Sequence, residues 1–350
     1  MDFNKALTIW FSEHKRDLPW RNTKNPYFIW LSEIILQQTQ VAQGQPYYEE
    51  FVATFPTVFD LAKAPESAVL KLWQGLGYYS RARNLHASAK FIANNLNGVF
   101  PNTYSEIIKL KGVGDYTASA IASISFNEPT AVVDGNVYRV LARYFGIDTP
   151  INSTQGIKEF KALASSLMDH TQPSIYNQAI MEFGAIQCKP KNPLCDSCPL
   201  RKSCVALQQQ KIDLLPFKLK KNKVSTKYFN FLVLISAVQT TVFKKRTGKG
   251  IWHNLYQFPL IETETPLEIS DFKNQPLVKS YLKGRPFDFS LYNNKDIVHK
   301  LSHQHLHTKF WIVEVDQLPE TGIPISELKE HPTSILVANF IDEFFKNSYI

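Results

Sequence analysis

Two carboxyl groups, Glu33 and Asp134, lie in sequence surroundings that favour opposite protonation states. Glu33 follows Ile29 and Trp30 at helical spacing, and a carboxyl on such an apolar helix face favours its neutral form. Asp134 precedes Gly135 in the position of a helix N-cap, where amide donors and the helix dipole favour the carboxylate. A neutral acid and an anion can together cleave a glycosidic bond, because one protonates the leaving group while the other stabilises the cationic sugar.

Both residues also have a purely structural explanation. Asp134 could act as a plain helix cap, and Glu33 could form an ion pair or turn towards solvent. They are distant in the sequence, so their use as a pair depends on the elements that position them.

A second functional pattern is the turn Gly112-Val113-Gly114, which separates two segments with helical patterning. Such a turn bends tightly and leaves backbone N–H groups exposed at the start of the next helix, where a phosphate can bind. We therefore predict a helix–hairpin–helix over about 110–118, with Gly112 and Gly114 contacting DNA phosphate. Taken alone, the pattern also fits an ordinary connection between helices.

The four cysteines of the chain all lie within residues 188–204, which predicts a metal site in one loop. Structural zinc commonly uses two short cysteine pairs that are well separated, whereas one compact loop suits a [4Fe–4S] cluster. We predict the cluster, with zinc and unmetallated thiols as alternatives. The predicted ligands follow the spacing Cys188-x6-Cys195-x2-Cys198-x5-Cys204.

Length and composition indicate a protein of two or three domains with a polyanionic partner. The chain has 350 residues, 44% of them apolar, and a net charge of +8. No apolar run reaches the roughly 18 residues of a membrane span, and the first residues lack the apolar segment of a secretory signal. We expect a cytoplasmic protein that does not associate with membranes.

The chain is predicted to form three segments. Residues 1–204 have helical patterning, including one helix over 27–40 that carries Glu33. Residues 205–227 are a basic linker that either follows phosphates or is a solvated coil. Residues 228–350 form an α+β domain, with strands near 229–235 and 310–315 and a helix near 334–347. The linker lysines are Lys211, Lys218, Lys220, Lys221, Lys223 and Lys227.

Three stretches of the sequence resemble the adenine DNA glycosylase (MutY) family of the helix–hairpin–helix iron–sulfur superfamily. They are residues 30–41, 75–85 and 134–137, and the similarity is dense from about 5 to 205. The resemblance implies an all-α helix–hairpin–helix glycosylase core with a [4Fe–4S] loop, followed by a C-terminal α+β Nudix-like domain. It also implies removal of adenine mispaired with 8-oxoguanine. The cysteine spacing is that family's cluster signature.

The resemblance assigns roles to individual residues. Glu33 would protonate the adenine, and Asp134 would stabilise or briefly bond to the sugar C1′. Gln38 and Tyr78 would insert beside the 8-oxoguanine. As isolated residues, Gln38 and Tyr78 also fit helix surface or core packing. The other implied contacts are Thr39 and Leu76 near the 8-oxoguanine, Arg21 and Gln178 at the flipped adenine, and Glu182 in the water network of the acid.

Tyr116 predicts hydrolysis without strand cleavage. Lyase relatives that resemble endonuclease III have a lysine at this position, which forms a Schiff base with the opened sugar. A phenol cannot form that bond, and Lys111 lies within the glycine turn. We therefore expect a monofunctional glycosylase in which Tyr116 lines the sugar pocket.

The C-terminal segment carries a second part of the resemblance. Residues 249–259 resemble a stretch of Nudix-like domains, but the glutamates that follow lack the spacing that holds magnesium for pyrophosphate hydrolysis. Leu301-Ser302-His303 matches the aromatic-Ser-His loop that reads 8-oxoguanine, except that leucine replaces the aromatic residue. Alternation of His303, His305 and His307 places them on one strand face. These histidines could contact backbone and phosphate, lie at the surface without a ligand, or form a metal site.

The expected partner is double-stranded DNA with 8-oxoguanine:adenine or guanine:adenine mispairs, bound by a monomer in the nucleoid. Two other functions fit parts of the pattern. One is a bifunctional pyrimidine-lesion glycosylase/lyase, and the other is an iron–sulfur DNA-binding protein without catalysis. Tyr116 argues against the first, and the joint presence of Glu33 and Asp134 argues against the second.

Overall fold

The structure is a computed structural model that describes residues 2–219, 224–283 and 287–348. The chain forms two compact units. The first comprises Met1–Ala64 and Ser80–Lys220, and the second comprises Pro65–Tyr79 and Lys221–Ile350. Across the described residues, no helix combines the length and apolar character needed to cross a membrane.

Helices make up most of the chain before residue 210, and three more follow among the described residues later in the chain. In chain order the α-helices are α1 (Phe3–His14), α2 (Pro26–Ile35), α3 (Val41–Thr54), α4 (Val58–Lys63), α5 (Glu66–Leu72), α6 (Ser80–Asn95), α7 (Tyr104–Ile107), α8 (Asp115–Phe126), α9 (Gly135–Phe145), α10 (Thr154–Ser166), α11 (Pro173–Glu182), α12 (Val205–Gln208), α13 (Ile269–Phe272), α14 (Pro276–Leu282) and α15 (Ile335–Ser348).

Strands occur in the later part of the chain. They are β1 (Ser225–Ser236), β2 (Thr240–Thr241), β3 (Lys244–Lys245), β4 (Tyr256–Gln257), β5 (Leu260–Thr263), β6 (Phe289–Leu291), β7 (Ile297–Lys300), β8 (Gln304–Val315) and β9 (Ile323–Pro324).

The first unit is helical, and its helices pack around a buried apolar core. Helix α2 packs on α8, and α11 packs on α1, α8 and α9. Apolar residues from these helices, such as Trp10, Val137 and Ile180, are buried in one cluster. Burial of these faces removes apolar surface from water and holds α8 and α9 in place, while α2 is held through its packing on α8.

Helix α2 is shorter than predicted. It ends at Ile35, whereas the sequence predicted one helix over 27–40. The Arg81 guanidinium from α6 donates to the carbonyls of Ile34 (3.0 Å), Ile35 (2.9 Å) and Gln37 (2.6 Å). A side-chain donor from elsewhere in the sequence thus satisfies the terminal carbonyls and lets the backbone leave the helix.

The first unit continues past the cysteine loop. A π-helical turn, Phe183–Gln187, leads into Cys188. Beyond residue 204 the chain remains packed, because Leu215 is buried in the helical core and Arg143 donates to its carbonyl at 3.0 Å. The early part of the predicted linker is therefore ordered. Its lysines Lys220, Lys221 and Lys223 lie outside the described residues.

The second unit is built on a mixed sheet covered on both faces. Strands β1 and β8 run parallel over their whole length, with Ser225 opposite Gln304. Antiparallel partners flank them, β6 and β7 on β8, and β2 and β5 on β1, while β9 pairs with β2. One face packs Trp311 against Phe272 of α13, and the other packs Phe310 against Phe340 of α15.

Residues 65–79 belong to this second unit although they precede α6 in the chain. The Asn254 side chain donates to Glu66 at the start of α5 (2.6 Å). The backbone N–H of Thr333 donates to the Gln74 side chain (3.2 Å), and the Tyr79 hydroxyl donates to the Thr333 carbonyl (3.1 Å). The segment that carries Leu76 and Tyr78 is therefore held by residues from the C-terminal part of the chain.

Candidate active site

Glu33 is an acid that favours its neutral form. Its side chain projects from α2 into the interior of the first unit, where the residue is 9% exposed. Burial raises the pKa of Glu33 to about 7, a hydrogen bond with Tyr116 opposes this shift, and the charge of Asp134 adds to it. A carboxyl with this pKa carries its proton in a large fraction of molecules at neutral pH.

Asp134 caps α9, as its sequence position predicts. Its carboxylate accepts from the backbone N–H groups of Asn136 (2.8 Å) and Val137 (2.8 Å), and from the Asn136 side chain (2.7 Å). Burial raises the pKa of Asp134 above its usual range, although these amide donors oppose the shift. The sequence predicted the effect of the amides and missed the larger effect of burial.

The two acids are electrostatic neighbours, and Tyr116 lies with them. The charge of Asp134 raises the pKa of Glu33, and both acids raise the pKa of the buried Tyr116 hydroxyl, which burial itself raises most. The Tyr116 hydroxyl also donates to the Met181 sulfur at 3.3 Å. The site therefore joins α2, α8 and the start of α9, with no lysine in the position of Tyr116.

Glu182 forms a buried ion pair with two arginines. Its residue is 1% exposed, and its carboxylate accepts from Arg16 (2.7 Å from both Nε and Nη2) and from Arg21 (2.7 Å). Burial alone would raise the pKa of Glu182, but the hydrogen bonds from the arginines lower it to about 2. Glu182 is thus a permanent anion. Sequence analysis did not identify Arg16, because nothing local marks it as a partner of α11.

Arg21 and Gln178, predicted to hold the flipped adenine, line the same cavity of about 410 Å³. Phe11 and Ile175 contribute apolar surface to this cavity, and Arg16 contributes charge. Among the described residues, the cavity lining does not include Glu33, Tyr116 or Asp134. The structure therefore brings Arg21 and Gln178 together, and their contact with a base stays a prediction.

Gln38 and Tyr78, the predicted wedge residues, share an unusual backbone conformation. Gln38 has φ of 55° and follows α2, while Tyr78 has φ of 46° and precedes α6. Both side chains are exposed, Tyr78 to 46%. Left-handed backbone is uncommon outside glycine and concentrates at functional sites.

The other two residues predicted near the 8-oxoguanine, Thr39 and Leu76, differ in their exposure to solvent. Thr39 is half-buried, and its hydroxyl donates to the carbonyl of Gln37 at 3.3 Å. Leu76 is buried within the second unit. Contact of Leu76 with a base would therefore require it to become exposed, and that contact stays a prediction.

The glycine turn has a backbone conformation that depends on glycine. Gly112 has φ of 82°, and a Cβ atom there would lie 2.6 Å from the Cβ of Asn84, so other residues are excluded by both strain and space. Gly114 is exposed at the start of α8 and has open space around it. Asp115, the first residue of α8, is neutralised by Lys161 at 2.9 Å.

The four cysteines lie close enough to influence one another. Burial raises the pKa of Cys198 to about 11, and charges on the other three cysteines contribute to the increase. The Arg143 guanidinium contacts the Cys188 sulfur at 3.5 Å. Within the described ranges, no three His, Cys, Asp or Glu side chains form a group that could hold a metal ion.

A chain of hydrogen bonds links Asp134 to the cysteine loop. Arg139, one turn into α9, donates to the Asn136 side chain (2.8 Å) and to the Cys188 carbonyl (2.7 Å). Asn136 in turn donates to Asp134. The sequence contained one signal for this link, the spacing of Arg139 and Arg143 on one face of α9.

Ser302 and His303 form the tip of the hairpin between β7 and β8, and both are exposed. The Leu301 N–H donates to the Gln304 carbonyl (2.8 Å), and the Ser225 N–H donates to the His303 carbonyl (3.1 Å), so the tip is tightly held. His307 pairs with Asp296 at 3.2 Å.

Comparison with known proteins agrees with this geometry. Residues 31–164 match the family model described as the HhH-GPD superfamily base excision DNA repair protein. The chain is 36% identical over 313 residues to the adenine DNA glycosylase of Buchnera aphidicola subsp. Baizongia pistaciae, covering 89% of this chain and 86% of that protein. It is 44% identical over 216 residues to the human adenine DNA glycosylase, covering 59% of this chain and 40% of that protein.

A solved structure is similar in fold. The structure of a thermostable thymine-DNA glycosylase aligns with a TM-score of 0.55 and 31% identity, over 59% of this chain and 95% of that one.

Proposed function

This chain belongs to the adenine DNA glycosylase family of base-excision repair proteins, and we propose that it hydrolyses the N-glycosidic bond of adenine paired with 8-oxoguanine or guanine in duplex DNA. The observation that carries the proposal is the buried Glu33, with a pKa of about 7, as an electrostatic neighbour of the Asp134 carboxylate. The family and the glycosylase activity predicted from the sequence are confirmed by these relatives.

The two acids divide the chemistry between them. Glu33 donates its proton to the leaving adenine, which turns a poor leaving group into a neutral base. Asp134, anchored by three amide hydrogen bonds, stabilises the positive charge that develops on the sugar. Water then attacks C1′ and gives up a proton to the Glu33 carboxylate, which restores the acid. The cost of everting the base is smallest for a mispaired base, which contributes to selectivity.

Tyr116 supports hydrolysis without strand cleavage. A lyase needs an amine that forms a Schiff base with the opened sugar, and Tyr116 offers a phenol whose pKa lies well above its usual range. Tyr116 can hold the Glu33 carboxyl by a hydrogen bond and contact the sugar.

The four cysteines fit a [4Fe–4S] cluster by their chemistry. Thiolates are the ligands that iron–sulfur clusters use, and the charges of Cys188, Cys195 and Cys204 contribute to the raised pKa of Cys198. Cys188, Cys195, Cys198 and Cys204 would hold the cluster, which would cross-link the loop. Arg143 already binds the loop through the carbonyls of Lys189 (2.7 Å) and Pro190 (3.1 Å).

Recognition of the lesion pair is assigned to two groups of residues. Gln38 and Tyr78 enter the base stack, and Ser302 and His303 contact the 8-oxoguanine from the tight hairpin of a Nudix-like domain. The free amide groups at Gly114 bind a DNA phosphate. With DNA as its substrate, the proposed location of the protein is the nucleoid.

One experiment separates this function from its two alternatives. The protein is incubated in excess with an 8-oxoguanine:adenine duplex, and half of each sample is then treated with alkali. Strand scission only after alkali is expected for a monofunctional adenine glycosylase. Scission without alkali would support a lyase, and binding without scission in either sample would support a passive DNA-binding protein.

A further inference from the structure

We propose that Tyr79, Gln74 and Thr333 are positioning residues that hold the loop Gly75–Tyr78 in the shape needed for Tyr78 to enter DNA. This inference rests on the proposed function, because it concerns how the wedge residue is presented to the lesion pair. Both parts of the arrangement, residues 65–79 and the segment around Thr333, belong to the second unit.

The loop has a backbone that short peptides avoid. Gly75, Gly77 and Tyr78 have φ of 102°, 72° and 46°, so three of its residues occupy the left-handed half of conformational space. For tyrosine this conformation costs free energy, because its Cβ crowds the backbone. Surrounding contacts must therefore hold Tyr78 in place.

Hydrogen bonds on both sides of the loop supply this constraint. The Tyr79 hydroxyl accepts from the Gly75 N–H (3.4 Å) and donates to the Thr333 carbonyl (3.1 Å). The Thr333 N–H donates to the Gln74 side chain (3.2 Å), so both backbone polar groups of Thr333 hold the loop. The Trp73 indole N–H donates to the Gly77 carbonyl at 3.0 Å.

Thr333 is itself rigidly placed. It is 2% exposed, its hydroxyl donates to the Tyr256 carbonyl (2.7 Å), and the Tyr256 N–H donates to the Pro332 carbonyl (2.8 Å). At the start of the same segment, the bond from Asn254 to Glu66 holds α5. The segment 65–79 is therefore attached to ordered structure near both of its ends.

A preformed wedge favours binding. A flexible loop would lose conformational freedom when Tyr78 enters the base stack, and that loss would weaken the complex. Because the bonds of Tyr79 and Thr333 order the loop during folding, this conformational entropy is already lost before DNA binds. Tyr78 is exposed and available for contact, whereas the neighbouring Tyr79 is buried. The C-terminal part of the chain thus contributes to lesion recognition through the wedge as well as through the Ser302–His303 hairpin.

The test uses Tyr79→Phe in the full-length protein, because it keeps the buried ring and removes only the hydroxyl. We expect Tyr79→Phe to weaken binding to an 8-oxoguanine duplex with a non-cleavable adenine analogue by about fivefold, the effect of one buried hydrogen bond. In a Tyr78→Ala background the same change should have almost no effect, because the wedge is already absent. Equal losses in both backgrounds, or no loss in either, would overturn the proposal.

Two further measurements keep the result interpretable. Hydrogen exchange of the amides in residues 75–78, without DNA, should be faster in Tyr79→Phe, and unchanged exchange would count against the proposal. Tyr176→Phe is the matched control, since its buried hydroxyl also donates to a carbonyl (Ala164, 3.1 Å) but lies in the first unit. We expect Tyr176→Phe to leave both binding and exchange of this loop unchanged, and a similar effect there would indicate general loss of stability.

Failure of the proposed function and failure of this inference give different experimental results. If the parent protein neither prefers the 8-oxoguanine duplex nor releases adenine, the proposed function is wrong, whatever the exchange data show. If the parent does both and Tyr79→Phe behaves like the parent, the proposed function stands and this inference is wrong.

Discussion

The chemistry of the site depends on the different ways in which α2 and α9 present a carboxyl. Glu33 lies in the last turn of α2 in apolar surroundings, and burial raises the pKa of its carboxyl to about 7, which favours the neutral form. Asp134 lies at a helix start, where three amide hydrogen bonds favour its charged form against the effect of burial. In the proposed mechanism Glu33 is the proton donor and Asp134 the anion, although burial also raises the pKa of Asp134.

Replacement of Glu33 by glutamine should abolish adenine release while preserving DNA binding. The amide keeps the shape of the side chain but cannot donate a proton to the leaving base, so the single-turnover rate should fall by about 100-fold to 10,000-fold. The exposed Glu13→Gln on α1 is a control that should behave like the parent. A Glu33→Gln rate near that of the parent would remove Glu33 from the role of acid.

The raised pKa of Glu33 predicts how rate and stability depend on pH. Above about pH 7 the single-turnover rate should fall as Glu33 loses its proton. The folded protein binds this proton more tightly than the unfolded chain, so the free energy of unfolding should fall as pH rises from about 4.5 to 7. Urea unfolding of the parent and of Glu33→Gln at several pH values in this range measures the free energy of unfolding. The part of its pH dependence that comes from Glu33 should be absent in the variant.

At the scale of elements, the hairpin between α7 and α8 is locked to the segment that leads to Asp134. The Lys161 ammonium from α10 bonds to Asp115 (2.9 Å), to the Ser119 hydroxyl (3.0 Å) and to the Ala131 carbonyl (2.7 Å). This one side chain therefore joins the start of α8 to the loop before α9. It also neutralises the carboxylate nearest to the proposed phosphate site at Gly114.

Lys161→Met should therefore weaken binding to duplex DNA. The unpaired Asp115 carboxylate would repel phosphate at the start of α8, and we expect a loss of about threefold to tenfold at low salt. The double variant with Asp115→Asn should recover most of this loss, since it removes the repulsion. If Asp115→Asn gives no recovery, the effect of Lys161 is on folding and not on charge. Binding titrations at several salt concentrations distinguish the two.

The hairpin between β7 and β8 is the second element with a proposed contact to the lesion. Ser302→Ala and His303→Ala should reduce the preference for 8-oxoguanine over guanine by about fivefold or more, because each removes a polar contact to the lesion. The change His305→Ala on β8 is the nearest control and should preserve the preference. Unchanged discrimination in the Ser302 and His303 variants would mean that another segment reads the lesion.

At the scale of the whole molecule, the cysteine loop is fixed to the first unit by hydrogen bonds from α9. Arg139 and Arg143 of α9 bind carbonyls of this loop, and Arg139 also reaches the Asn136 side chain beside Asp134. The loop is thus bound directly by α9, the helix that Asp134 caps. A cluster bound there would influence the site by fixing the loop to which Arg139 is bonded.

The purified protein should contain about four iron and four sulfide per chain, as the [4Fe–4S] assignment requires. The loss of one ligand in Cys198→Ser should lower the iron and sulfide contents. It should also reduce thermal stability, since the loop would lose its cross-link. Iron and sulfide analysis together with a melting curve provides the check. Stoichiometric zinc without sulfide would identify the alternative metal.

Local patterns in the sequence predicted the residues to which the chemistry is assigned. Apolar neighbours at helical spacing around Glu33, the cap position of Asp134 and the open turn at Gly114 all depend on residues a few positions apart, and the structure has each of them as predicted. Such features can be read from a sequence because helix periodicity and turn geometry are short-range properties.

Tertiary structure alone decided the features that depend on distant parts of the chain. Arg81 ends α2 at Ile35, Arg16 neutralises Glu182, and Thr333 holds the loop before Tyr78, in each case across more than 40 positions of sequence. Burial likewise reverses the expected direction of the Asp134 pKa. Each effect arises when packed elements bring a donor or an apolar wall to a polar group, and no pattern within a single segment specifies which partner arrives.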